Sequence, residues 1–131
     1  MAGNITPIFP KAARIGTANV STANANRTVT GTTGLTSLLV AGADGTRLDR
    51  IRVKATAATT SGMVRIWAYS GAGDAQLLFE IPVSAITPSA ILASFEAYVD
   101  VEYEHLPAGY TLYASTEKAE AFNVMAFGGD W

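Results

Sequence analysis

The chain has 131 residues, no cysteine, one histidine and a formal net charge of −2. That length fits one domain able to bury its own core. Without cysteine there is no disulfide framework and no thiolate metal site, and a single histidine makes a zinc site a poor expectation. The slightly acidic balance lacks the basic excess of nucleic-acid binders, and no apolar run reaches the roughly 18 residues of a membrane-spanning helix.

Residues 1–12 carry Pro7 and Pro10 among Ile5, Ile8 and Phe9. Proline fixes φ and donates no N–H, so this stretch reads as an extended N-terminal arm rather than a helix or a central strand. Each large apolar side chain gains roughly 1.5–3 kcal/mol on burial, so the arm needs a partner surface on its own domain or on a neighbour. The start of the chain lacks the basic residues and long apolar stretch of a secretion signal, and synthesis in the cytoplasm is expected.

Residues 13–131 read as a single β-sandwich domain. A weak first strand over 13–22 contains Ile15 and Val20. Residues 22–34 are polar, with few side chains able to offset ordering entropy, and read as a long mobile loop. A second strand covers 35–41, and Asp44-Gly45 supplies a turn. The third strand, 47–57, alternates Ile51, Val53 and Ala55 with Arg50, Arg52 and Lys54. Such a period of two means one buried face and one polar face.

The fourth strand, 63–70, places Val64, Ile66 and Ala68 on one face and Arg65, Trp67 and Tyr69 on the other. A fifth strand over 76–83 alternates Leu77, Phe79 and Ile81 with Gln76, Leu78 and Glu80. A loop with Pro88 precedes a sixth strand over 90–102. There Phe95, Ala97, Val99 and Val101 alternate with Glu96, Tyr98, Asp100 and Glu102. Strands over 110–116 and 122–127 complete the set. Eight short strands at this spacing predict an all-β, eight-stranded sandwich, jelly-roll-like in architecture.

Candidate chemistry is sparse. Glu96, Asp100 and Glu102 share a strand face, but carboxylates on an outward face are ordinarily solvated, and a catalytic pair needs an enclosing cleft. Arg50, Arg52 and Lys54 form the reciprocal basic row. If the two rows meet across strands or between copies, they set orientation more than affinity. His105 precedes a turn and has no nucleophile or metal-ligand context. The expectation is therefore no enzyme, no cofactor, no metal and no small-molecule substrate. Trp67 and Tyr69 lie on a face read as outward. With the arm residues Ile5, Ile8 and Phe9 and the terminal Trp131, they make the candidate protein–protein interface. Trp131 is expected to fold back on the sandwich or meet a neighbour.

The segments MAGNITPIFP at 1–10, GADGTRLDRI at 42–51, GMVRI at 62–66 and FNVMAFGGD at 122–130 resemble small proteins encoded among the structural genes of tailed bacteriophages and prophages. The likeness is of sequence character, not of a functional motif, and it carries over no binding residues. It implies a virion component such as a capsid decoration (cement) protein, contacting the major capsid protein. Icosahedral placement implies a homotrimer at three-fold positions. The alternative expectation is a carbohydrate- or receptor-binding module of a head fibre or tail, built on Trp67, Tyr69, Tyr98 and Asn123 together.

Overall fold

A computed structural model describes residues 10–131, the side chains of Glu102 and Tyr103 excepted. Its strands are β1 (Ala12–Val20), β2 (Thr36–Val40), β3 (Thr46–Ala55), β4 (Gly62–Tyr69), β5 (Gln76–Val83), β6 (Glu96–Leu106), β7 (Thr111–Thr116) and β8 (Phe122–Asp130). They form two four-stranded sheets, ordered β1-β8-β3-β6 and β2-β7-β4-β5. β1 pairs with β8, β2 with β7, β3 with β6 and β4 with β5, all antiparallel. That is the pairing of one long hairpin. The further pairs β3–β8 and β4–β7 roll the hairpin up, so that its two ends and its middle lie in facing sheets.

The alternation read from the sequence sets the core. Ile51, Val53 and Ala55 of β3 are buried, as are Val64 and Ile66 of β4, Ile81 and Val83 of β5, Leu112 and Ala114 of β7, and Val124 and Ala126 of β8. Phe95 and Phe122 meet edge to face between them, with centroids 6.4 Å apart. On β3 the alternation slips once. A bulge between Leu48 and Arg50 shifts the register to both neighbours, so Leu48 and Ile51 both point inward. A bulge of this kind adds one residue and bends the strand.

Glycine is needed where the layers come closest. A Cβ on Gly16 would land on the carbonyl oxygen of Leu38 and on the Leu39 side chain in the opposite sheet. A Cβ on Gly128 would land on the carbonyl of Arg47 beside the bulge. The open end of the roll is fixed by Asp130. Its carboxylate accepts from Arg14 Nη1 at 3.0 and 2.8 Å and from the Thr46 hydroxyl at 2.7 Å. Arg14 also donates to the Val40 carbonyl at 2.8 Å, and the Gly42 N–H donates to Thr46 Oγ1 at 2.9 Å. One carboxylate thus connects β1, β8, the end of β2 and the start of β3.

Several boundaries differ from expectation. The sixth strand begins at Glu96, not at 90, because Ser89 closes a turn onto Leu92. The eighth strand runs on to Asp130 through Gly128 and Gly129, which pack where a side chain would collide. Pairing to β8 begins at Lys11, whose N–H donates to the Asp130 carbonyl at 2.6 Å. The last residues of the expected arm therefore belong to the sandwich. Ile5, Ile8 and Phe9 lie outside the described residues.

Two outcomes follow from this packing. Gly16→Val is expected to destabilise the protein by about 1–3 kcal/mol through overpacking, read as a lower urea midpoint with an unchanged m-value. The Thr46 hydroxyl, followed by Arg14, holds the Asp130 carboxyl below the ordinary carboxylate range. A folded-state pKa below the unfolded value contributes stability that is present above the unfolded pKa and fades as pH falls through the folded one. Asp130→Asn is therefore expected to lower the melting temperature at pH 7. The gap to wild type should narrow as pH drops below about 4; a gap independent of pH would contradict the assignment.

Candidate interaction surface

A rolled sandwich has two outer sheet faces and two loop-bearing ends, and the two faces here are treated differently. On the β2-β7-β4-β5 sheet, Arg65, Trp67 and Tyr69 point away from the core. Trp67 is nevertheless 0 % exposed and Arg65 1 %. The cover is the polar segment 21–35. Its Asn24 N–H donates to the Thr116 carbonyl at 2.8 Å. Arg27 Nε donates to Glu80 at 2.9 Å. The Gly31 N–H donates to Asp74 at 2.8 Å, and the Gly31 carbonyl accepts from the Ala75 N–H at 2.8 Å. The segment thus crosses from the end of β7, past β5, to the β4–β5 turn.

Beneath it lie buried polar groups with partners of their own, save Arg65 Nη1, which is buried without one. Trp67 Nε1 donates to Ser115 Oγ at 3.0 Å. Arg65 Nε donates to Glu80 at 3.1 Å, and its Nη2 lies 3.8 Å from Glu117. Arg27 first, and also Arg65, hold the Glu80 carboxyl below its ordinary value. The expectation that Trp67 is an exposed interface residue is thereby corrected, whereas residues 22–34 form the long loop expected from their polar composition. Hydrogen bonds and ion pairs, rather than apolar anchors, hold the segment in place. Tyr69 is half-buried at the margin, edge-on to Tyr113 with centroids 6.0 Å apart.

Among the described residues, the β1-β8-β3-β6 face has no such cover. Its charged half is paired within the chain. Arg50 meets Asp100 at 3.0 Å and lies over the Tyr98 ring at 4.6 Å. Arg52 meets Glu96 at 2.7 Å, with Lys54 4.0 Å from the same carboxylate. The acidic and basic rows therefore meet across strands, where exposed pairs contribute about 0–1 kcal/mol each. The other half is apolar. Ile15, 61 % exposed, stands opposite Phe127, and Met125 stands opposite Thr17. Tyr98 and Asn123 belong to this sheet, while Trp67 and Tyr69 belong to the other. The four residues of the carbohydrate reading are thus not brought together.

At the chain end, Trp131 is half-buried. Its backbone N–H donates to the Gly45 carbonyl at 3.2 Å, its indole Nε1 is buried without a hydrogen-bond partner, and its ring centroid lies 4.8 Å from that of His105. It folds back on its own sandwich, one of the two expected outcomes.

The most exposed large apolar residue among those described lies outside the residues that the sequence singles out. Ile91 is 99 % exposed at the tip of the β5–β6 loop, beside the exposed Leu92. The available signal was an uncharged run, 81–95, too long to be strand throughout. No group of three or more metal-ligating side chains is present among the described residues. No family model and no curated protein matches the chain.

Trp67→Ala is expected to cost about 3–5 kcal/mol and to loosen the segment above it. Trypsin cleavage after Arg27 under native conditions should then accelerate. An unchanged cleavage rate would mean that the segment does not rest on the indole.

Proposed function

We propose that this protein is a structural component of a tailed-bacteriophage particle, a capsid decoration protein that stabilises the head by contact and performs no chemistry. The observation that carries this reading is the strand pairing, first with eighth, second with seventh, third with sixth and fourth with fifth. That order supports a jelly roll, an architecture common in viral shells. The resemblance of the segments at 1–10, 42–51, 62–66 and 122–130 to phage structural proteins points the same way.

In this reading the partners are further copies of the chain, arranged as a trimer at three-fold positions, and the major capsid protein. The protein resides in the particle after synthesis in the host cytoplasm. The arm provides the reach: Ile5, Ile8 and Phe9 are contributed ahead of a sandwich whose own pairing begins at Lys11. In this reading their apolar side chains serve a neighbour.

Deletion of residues 1–9 tests this. The truncated protein is expected to keep the thermal unfolding transition of the full chain. It should no longer co-sediment with purified phage heads stripped of the protein. Retained co-sedimentation would remove the arm from the mechanism, and failure of the full chain to co-sediment would remove the decoration role.

A further inference from the structure

We propose that the tip of the β5–β6 loop is a docking plug: Ile91 and Leu92 of one copy seat on the uncovered β1-β8-β3-β6 face of a second copy, over Ile15, Phe127 and Met125. This rests on the self-association proposed above and names the surfaces through which it occurs.

The tip is turned by its own hydrogen bonds and has no cover among the described residues. The Ser89 N–H donates to the Leu92 carbonyl at 2.9 Å, and the Leu92 N–H donates back at 3.3 Å. The Ser89 hydroxyl accepts from the N–H groups of Ile91 and Leu92 at 3.3 and 3.1 Å. Both ends of the loop are tied to the body. Ile86 exchanges backbone hydrogen bonds with Thr59 at 2.9 and 3.2 Å, and the Thr59 hydroxyl donates to the Ser84 carbonyl at 2.8 Å. On the return side, the Ser94 hydroxyl donates to the Ala55 carbonyl at 2.6 Å. The turn therefore has a backbone set by hydrogen bonds, which lowers the ordering entropy lost when the tip binds. Ile91, 99 % exposed, and the adjacent Leu92 put two large apolar side chains in water at one place, a pair that a partner surface would cover.

Charge selects the acceptor. From Ile81 to Phe95 the chain has no ionisable side chain. Seating such a plug over an ion pair would desolvate charge for no return. On the uncovered face, Arg50, Arg52, Lys54, Glu96 and Asp100 fill the β3–β6 half. The β1–β8 half offers Ile15, Phe127 and Met125, bordered on one side by the uncharged Thr17, Asn19 and Asn123 and on the other by Arg50 and Arg52, which stand opposite Phe127 and Met125 and are held in ion pairs to Asp100 and Glu96 of β6. The other sheet is crossed by its own segment 21–35. The plug cannot serve its own copy. The loop is anchored beside Lys54 and Ala55, whereas the Ile15–Phe127 row aligns with Arg50, about 13 Å further along the strands at ~3.3 Å per residue.

The absence of cysteine gives a clean test. Full-length Ile91→Cys and Ile15→Cys proteins are mixed, mildly oxidised and resolved by mass. The proposal requires the mixed 91–15 disulfide to exceed the 91–91 and 15–15 species by roughly tenfold, since a disulfide needs Cα atoms within about 7 Å. In parallel, the double variant Ile91→Asp/Leu92→Asp should weaken self-association at least tenfold in sedimentation velocity, with an unchanged melting temperature.

Predominant 91–91 bridges, or an oligomer that forms no mixed bridge, would overturn the contact while leaving self-association standing. A monomer at every concentration would overturn both; co-sedimentation with heads still judges the decoration role separately. Flotation with phosphatidylcholine vesicles, lost in the double variant, would assign the tip to a lipid surface and overturn the proposal.

Discussion

The structure depends on the pairing of the first strand with the last. β8 lies between β1 and β3, so it supplies the sole in-sheet partner of β1 and one of the two partners of β3. The carboxylate that locks this pairing, Asp130, is 116 residues from its ion-pair partner Arg14. Closing a loop that long costs entropy that grows slowly with length, but it must be met before the contacts form, and so it slows folding more than it weakens the fold. The β4–β5 and β3–β6 pairs are nearer in sequence and can form first; β1–β8 completes the roll. A buried Thr46 and the Arg14 fork let one acceptor serve three chain segments at once, which explains why a charged group stands at the seam.

The second constraint concerns the outward faces. A sandwich strand that carries Arg65 and Trp67 outward exposes much apolar surface, and the chain covers it with its own 21–35 segment. Burying an arginine is costly unless it is paired and hydrogen-bonded; Glu80 in register and Glu117 nearby provide that pairing. Glu80 also holds Arg27 from above, so the ion pair that neutralises the buried cation also fastens the cover. Among the described residues the opposite sheet has no equivalent segment. Its charges pair laterally along β3 and β6, which keeps that half soluble and leaves the β1–β8 half apolar.

Much of the fold was legible in the sequence. Alternation alone located β3 and β6, chose their inward residues and anticipated that the Arg50–Lys54 and Glu96–Asp100 rows could meet. Local signals failed where a distant segment decided the outcome. Nothing near Trp67 announces that residues some 40 positions earlier lie over it, and a polar composition hides a segment fixed by hydrogen bonds. Ala90-Ile91-Leu92-Ala93 reads as strand by hydropathy, yet Ser89 turns the backbone and Pro88 precedes it, so the apolar run becomes a loop tip. Gly128-Gly129 reads as a strand end by propensity; the close approach of the Arg47 backbone is what requires glycine there. Of the proposed interface, the sequence placed Trp131 but misjudged Trp67, because period two reports a face and not what lies above it.

The energetics of the uncovered face bear on how such a molecule acts. Burying Ile91 and Leu92 gains roughly 1.5–3 kcal/mol for each side chain, less than the ~8 kcal/mol of a micromolar complex even before association costs. A plug of two residues therefore fixes register and orientation between copies without holding them together unaided. The remaining energy must come from contacts made at the same time, through the apolar arm or through a surface that already positions the neighbours. Where a lattice supplies that positioning, each added contact acts at high effective concentration, and individually weak contacts sum to a persistent assembly. A roll with one covered face, one face open among the described residues and an apolar tip suits that regime: its contacts would give weak, concentration-dependent association in solution and become cumulative once copies are held side by side.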